Sequence, residues 1–193
     1  MKKLVCGVGN NDADYAVNPR INGKRGMCPA YQAWTDMLNR AYNSKVHERR
    51  PTYIDTNVCE AWKSFMNFRV WWLDHYVVGY QLDKDIISDD NLYSPETCIY
   101  IPSWLNKFTA DSGATRGEWP IGVYYHKHSG KYVARCSHPF GKYEFLGSYS
   151  DADQAHQAWR DRKLKIAAEL KSKMDDIDVR IYPRIIEIIS NSK

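Results

Sequence analysis

Long apolar runs are missing from this sequence, which excludes membrane-spanning helices. Its longest apolar stretches, at residues 70–73 and around 185–189, where Glu187 interrupts the run, are only a few residues each, whereas a span needs about 20. Residues 4–7 are too short for the apolar region of a secretory signal, and polar residues follow them. The sequence therefore predicts a cytoplasmic protein with no membrane partner.

Cysteine pairs of the zinc-binding or redox type are also lacking. The five cysteines are widely separated and include no CxxC pair, a pattern that favours free thiols in a reducing compartment. The chain also has no phosphate-cradling glycine loop, nucleophilic-serine motif or dinucleotide fingerprint. The sequence thus offers none of the chemistry that depends on those motifs.

Aromatic residues are abundant, with 7 Trp, 14 Tyr and 5 Phe, and the formal net charge is +4. The positive charge is concentrated in residues 116–173, which contain 11 Lys or Arg against 6 Asp or Glu. A basic segment rich in Tyr and Trp suits a nucleic-acid surface, because cations neutralise phosphates and rings contact sugars and bases. An ordinary solvated basic face is the alternative interpretation.

The first half of the chain predicts two helices built around large rings. Pro29 opens one helix, and a second begins at about Glu60, after a strand-like stretch at 52–58. Rings at helical spacing predict a core that contains Trp34, Trp62, Phe65, Phe68, Trp71 and Trp72. Residues 80–106 then read as strand, loop, strand and helix, with acidic residues at the first strand's end.

The second half predicts strands at 122–127, 131–137 and 142–149, followed by a helix that starts at Ser150. Three antiparallel strands packed on one helix leave one sheet face free. Strand alternation places on that face Tyr124, His126, Lys131, Val133, Arg135, Ser137, Tyr143 and Phe145. The predicted fold is α+β, with domains at 1–110 and 116–173, a linker at 109–117 and a tail at 174–193.

The motifs GVYYHK at 122–127, GKYVAR at 130–135 and LGSY at 146–149 resemble the AP-two/ethylene-response-factor DNA-binding domain in its phage and bacterial form. The resemblance covers residues 116–170 and implies that the sheet lies in the major groove of double-stranded DNA. The DNA contacts that it implies fall on Tyr124, His126, Arg135, Ser137, Tyr143 and Phe145. Lys127, Lys131 and Lys142 would hold phosphates. Arg135 stands where plant members tend to have Glu.

Residues 9–106 look like the phage-encoded HNH-like homing endonucleases, which commonly carry an AP-two domain behind the nuclease unit. The similarity rests on YxxWxxMLxRxY from Tyr31, VCxxWxxFxxF from Val58, and LDKDI from Leu82. It implies a small ββα-metal element whose catalytic residues are Asp83, Lys84, Asp85 and Asn106. Asp83, Asp85 and Asn106 would bind Mg²⁺ or Mn²⁺. Lys84 occupies the place of the usual histidine.

The two resemblances together imply a metal-dependent, site-selective DNA endonuclease of homing type, in the host cytoplasm if phage-encoded. Five acidic residues between 83 and 96 accompany a single lysine, and such a cluster repels DNA unless it holds a cation. A solvated, charged strand end is the plainer reading of these acids. The missing histidine leaves open a catalytically inactive DNA-binding regulator or competitor, and the apolar tail leaves open a protein-binding surface.

Overall fold

A computed structural model describes residues 3–109 and 118–193. The chain divides into two compact units, Met1–Tyr100 and Ile101–Lys193. Seven α-helices and nine short strands lie within the described ranges, so the α+β class predicted from the sequence is confirmed. No helix in those ranges is long and apolar enough to cross a membrane. The predicted linker at 109–117 lies, apart from Thr109, outside the described residues.

The first unit is built from three helices and several two- to four-residue strands. In order they are β1 (Arg20–Ile21), β2 (Lys24–Arg25), α1 (Pro29–Tyr42), α2 (Ser44–Arg49), β3 (Asn57–Val58), α3 (Phe65–His75), β4 (Tyr80–Asp83) and β5 (Leu92–Tyr93). The strand β6 (Ile99–Pro102) follows at the unit boundary and pairs with β4. Strands β3 and β5 pair in parallel.

Helix α1 begins where proline is most easily accommodated. Pro29 occupies the first turn, where a helix has no intrahelical partner for its N–H groups and proline lacks one. Three residues on its apolar stripe, Trp34, Met37 and Leu38, are fully buried. The indole Nε1 of Trp34 donates a hydrogen bond of 2.7 Å to the carbonyl of Trp62, which ties this helix to the segment before α3.

The second helix starts later than the sequence predicts. Residues Glu60–Lys63 form a 3₁₀ turn, and α3 begins at Phe65 because Ser64 caps it. The Ser64 hydroxyl accepts from the N–H of Asn67 at 3.2 Å and donates to the Asp12 carboxylate at 2.6 Å. Side-chain capping satisfies N–H groups that the first turn leaves unpaired. Apart from the half-buried Trp72, the predicted core rings are buried.

The strand predicted at 52–58 is almost entirely wrong. Pro51–Tyr53 form a 3₁₀ turn, with the Ile54 N–H bonded to the Pro51 carbonyl at 3.1 Å, and only Asn57–Val58 are extended. Pro51 has a fixed φ that suits the start of such a turn. The β-branched residues of this stretch therefore predict a longer strand than the two extended residues at its end.

The described part of the second unit contains the predicted sheet and four helices. In order they are α4 (Ser103–Thr109), β7 (Val123–His126), β8 (Lys131–Ser137), β9 (Tyr143–Tyr149), α5 (Ala152–Glu169), α6 (Lys171–Asp175) and α7 (Ile181–Asn191). The three strands are antiparallel in the order β7-β8-β9. Helix α5 is capped by the Asp151 carboxylate, which accepts from the Asp153 N–H at 2.9 Å; the cap is one residue later than the predicted Ser150.

Small residues let α5 lie close to the sheet. Ala155 and Ala134 are fully buried and form one cluster with Val123. The apolar residues of α7 that face inward, Ile181 and Ile185, are also fully buried, so the predicted tail belongs to the second unit. These contacts fix one sheet face against α5 and leave the opposite face available.

Candidate nucleic-acid interface

The sheet face opposite α5 is formed mainly by alternate residues of β8 and their neighbours. Because successive strand residues point to opposite faces, Arg135 and Ser137 lie opposite the buried Ala134 and Cys136. Their partners across β9 are Phe145 and Tyr143. We call this surface the outward sheet face.

A β-bulge in β9 decides which residues reach the outward sheet face. The register pairs Ala134 with Gly147 and Arg135 with Phe145, so Leu146 is an extra residue in β9. Gly147 has φ of +137°, a conformation that residues with a Cβ rarely adopt. Phe145 and Gly147 therefore lie on opposite faces although they are two residues apart.

Large rings on the outward sheet face are unusually exposed. The exposed fraction is 79% for Tyr143 and 65% for Phe145. Arg135 places its guanidinium carbon 4.7 Å from the centroid of the Tyr124 ring, which holds the cation over that ring. Val133 is also expected on the free face, but it is buried. It lies in the middle of the central strand, where Tyr124 is its neighbour on β7.

Basic side chains lie at the β7–β8 turn and at the β8–β9 turn. Lys127 is in the β7–β8 turn, Lys131 begins β8, and Lys142 precedes β9; all three are exposed. His126 pairs with Lys131 across the strands, and its Nδ1 lies 2.8 Å from the Ser129 hydroxyl in the turn. The positions predicted for DNA contact are thus brought together on one sheet and its turns.

The acidic residue of these strands is kept on the other face. Glu144 lies opposite Cys136, and both of its carboxylate oxygens accept hydrogen bonds from Arg162 of α5, at 2.6 and 2.8 Å. The bonds from Arg162 lower the pKa of Glu144. Among the described sheet residues, none on the outward face carries a negative charge. That face therefore has the electrostatic sign that phosphates require.

The predicted catalytic segment lies at the end of β4 in the first unit. The Asp83 Oδ1 accepts from the N–H groups of Asp85 and Ile86, both at 2.9 Å, so the carboxylate closes a tight turn. Burial raises the pKa of Asp83, and these two hydrogen bonds oppose that effect. The other oxygen, Oδ2, has no hydrogen-bond donor within the described part of the chain.

Lys84 is enclosed rather than exposed to a substrate. Its side chain is 3% exposed, and Nζ donates to the carboxylate of Asp85 and, at 3.2 Å, to the amide oxygen of Asn91. It also lies 6.0 Å from the Tyr93 ring. A buried ammonium needs such partners to offset desolvation. This arrangement suits a lysine that positions Asp85 better than one that exchanges protons.

The predicted metal ligands have the oxygen donors that Mg²⁺ prefers, and two of them lie in one turn. Asp83 and Asp85 are neighbours in the first unit, whereas Asn106 lies half-buried on α4 of the second. No group of three or more His, Cys, Asp or Glu that could hold a metal occurs in residues 3–109 and 118–193. The HNH-like metal element is therefore not established, and a site shared by the three residues stays a prediction.

Sequence reasoning missed the burial of Lys163 and the packing of the half-buried Arg40 against a tyrosine ring. Arg40 of α1 has its guanidinium carbon 5.5 Å from the Tyr93 ring centroid, and Lys163 of α5 is only 8% exposed. Lys163 follows the buried Trp159 by four residues and precedes the buried Ile166 by three. Its position on the apolar stripe of a helix is a signal that the sequence already contains.

Comparison of the chain with known protein families, curated proteins and solved structures finds no match.

Proposed function

We propose that the chain is a double-stranded DNA-binding protein that uses the outward sheet face to select its site. The observation that carries this proposal is the combination of two highly exposed rings, Tyr143 and Phe145, with Arg135 on a face without acidic residues among those described. Isolated exposed rings are common, but rings interleaved with cations on a sheet suit DNA, because cations hold phosphates while rings contact bases.

Arg135 provides the sharpest test of DNA binding. Its guanidinium lies at the centre of the face, over Tyr124, where it would reach base edges. We expect Arg135→Ala to weaken binding of the preferred duplex by about 1–3 kcal/mol, or roughly 5- to 150-fold, in fluorescence anisotropy. Lys165→Ala, which removes an exposed charge from α5, is the control. Equal affinity for wild type and Arg135→Ala would overturn the role of this face.

The second candidate function is metal-dependent cleavage of that DNA, as the resemblance to HNH-like homing endonucleases implies. It is favoured by Asp83, which is half-buried and has one carboxylate oxygen without a donor among the described residues. Asp83, Asp85 and Asn106 would hold Mg²⁺ or Mn²⁺, which when bound stabilises negative charge on a phosphodiester. The turn closed by Asp83 orients this segment, and Lys84 holds the Asp85 carboxylate in place.

Plasmid nicking separates an endonuclease from an inactive regulator or competitor. Supercoiled DNA is incubated with wild type, Asp83→Ala or Asn106→Ala in the presence of Mg²⁺ or Mn²⁺. We expect wild type alone to convert the plasmid to nicked or linear form, because each variant loses a ligand. No cleavage with either metal, or equal cleavage by all three proteins, would contradict the nuclease proposal. DNA binding without cleavage would favour the regulator, which would act in the cytoplasm, or in the host cytoplasm if phage-encoded.

A further inference from the structure

A cavity of about 280 Å³ opens at the end of the sheet in the second unit. Ser137 and Tyr143, the last paired residues of β8 and β9, form one side of it. Lys107 and Phe108 of α4 form another side, and Lys163 of α5 lines it as well. Small-molecule sites usually measure about 300–1,000 Å³, so this cavity suits a small group rather than a whole cofactor.

Lys163 brings an unpaired positive charge to this cavity. The residue is 8% exposed, and within the described ranges no carboxylate pairs with its ammonium. Its Nζ lies 3.9 Å from the Phe108 ring centroid and 5.9 Å from that of Trp159. Ring faces offset part of the desolvation of an ammonium, but a buried cation normally has an anionic partner. Burial accordingly lowers the pKa of Lys163.

The surrounding charges favour an anion as that partner. Lys107 and His138 also line the cavity, and no acidic residue is among the described lining residues. The carboxylates of Glu144 and Glu169 are both bound by Arg162 of α5. Glu169 also lies 3.8 Å from the His138 Nε2.

One further titratable group faces Lys163 from the sheet. Burial raises the pKa of the Cys136 thiol, so this group stays neutral at physiological pH. The cavity is therefore lined by cations and by two hydroxyl-bearing residues, Ser137 and Tyr143. Cations and hydroxyl groups match the charge and hydrogen-bonding capacity of a phosphate.

We propose that this cavity binds a phosphate group, and specifically a backbone phosphodiester of a DNA strand lying on the outward sheet face, with Lys163 as its central cation. The choice of a phosphodiester rests on the proposed DNA-binding function, because Ser137 and Tyr143 belong both to the cavity and to that face. Lys163 then positions the duplex on the sheet without reading its sequence.

The salt dependence of DNA binding tests this role. Duplex affinity is measured by anisotropy between 50 and 200 mM KCl for wild type, Lys163→Met, Lys163→Arg and Lys165→Met. Each phosphate contact contributes a slope of about −0.9 in log K against log [salt]. Affinity falls between 50 and 200 mM KCl for both proteins. We expect the fall for Lys163→Met to be smaller than that for wild type by a factor of about 3.5. Lys163→Arg and the exposed control Lys165→Met should keep the wild-type slope.

A second variant and a second ligand keep the proposal testable. Lys107→Met changes an exposed residue of the same cavity and should also flatten the salt dependence of DNA binding. It replaces Lys163→Met as the test if that variant does not fold. Inorganic phosphate is titrated separately into wild type and Lys163→Met, with the His138 ring resonances followed by NMR. Phosphate should shift these resonances in wild type and have little effect in the variant.

The outcomes distinguish the two proposals. If wild type binds no DNA, the DNA-binding function fails and the phosphate titration alone decides whether the cavity holds a phosphate. A Lys163-dependent phosphate shift with an unchanged DNA salt slope overturns the phosphodiester and identifies a free-phosphate site. Unchanged slopes with no phosphate shift overturn the site altogether and leave Lys163 as a packing residue.

Discussion

Two glycines of the second unit provide a matched test of how its sheet is packed on α5. Gly122 precedes β7 with φ of +81°, and Gly130 lies in the β7–β8 turn with φ of +64°. The Gly122 carbonyl also accepts from the Arg135 N–H at 2.9 Å. Both backbones are in the left-handed region, so replacing either residue with alanine has a similar backbone cost, about 1–2 kcal/mol.

The space around the two glycines differs sharply. A Cβ on Gly122 would lie 2.1 Å from Cδ1 and 2.2 Å from Cγ of Trp159, whereas a Cβ on Gly130 would meet only the Tyr125 hydroxyl, at 3.8 Å. Trp159 is 5% exposed and its ring is stacked on His156, so it has little room to move. Overpacking of this kind adds about 1–3 kcal/mol.

We therefore expect Gly122→Ala to destabilise the second unit by about 2–5 kcal/mol and Gly130→Ala by about 1–2 kcal/mol. Native-state hydrogen exchange of peptides from β8, analysed by mass spectrometry, measures the opening free energy of this unit separately from the first. If Gly122→Ala destabilised β8 no more than Gly130→Ala does, the close packing of Gly122 on Trp159 would be refuted.

Three further measurements test other parts of the chain. Trp34→Phe should lower the free energy of unfolding of the first unit by about 2–4 kcal/mol in urea titrations, because it leaves a cavity and removes the donor to the Trp62 carbonyl; no loss would argue against that bond. Arg162 lowers the pKa of Glu144, so this pair stabilises the fold above pH 4.5 and loses that contribution as pH falls through the lowered value. Thermal melts should consequently fall more steeply in acid for wild type than for Glu144→Gln, and parallel curves would contradict this coupling. Burial raises the pKa of Cys98 to about 12, so at pH 8 its thiol should react with a disulfide reagent only after unfolding; rapid labelling of the native protein would disprove its protection.

The sheet and the helix packed on it could be predicted from the sequence because their signals are local. Gly130 marks a turn with positive φ, and alternation in β8 separates buried from exposed side chains. The first helix was equally accessible, since Pro29 and the apolar spacing after it are neighbours in the chain.

Long-range contacts determine the two features that could not be predicted from the sequence, the start of α3 and the burial of Lys84. Helix α3 starts at Phe65 partly because Asp12, 52 residues before Ser64, bonds to that capping residue. The ion pair that encloses Lys84 is local, but its burial depends on the first unit as a whole. A charged segment therefore reads as a catalytic loop in sequence, while tertiary packing decides which of its side chains can reach a substrate.

The bulge at Leu146, which Gly147 makes possible, affects which charges lie on the outward sheet face. If β9 continued as a regular strand from Gly147, Leu146 would lie opposite Arg135, Phe145 would turn toward α5, and Glu144 would enter the outward sheet face. That shift would exchange an exposed ring for a carboxylate and separate Glu144 from Arg162. The backbone of Gly147 thus keeps a negative charge off the sheet face that carries Lys131 and Arg135.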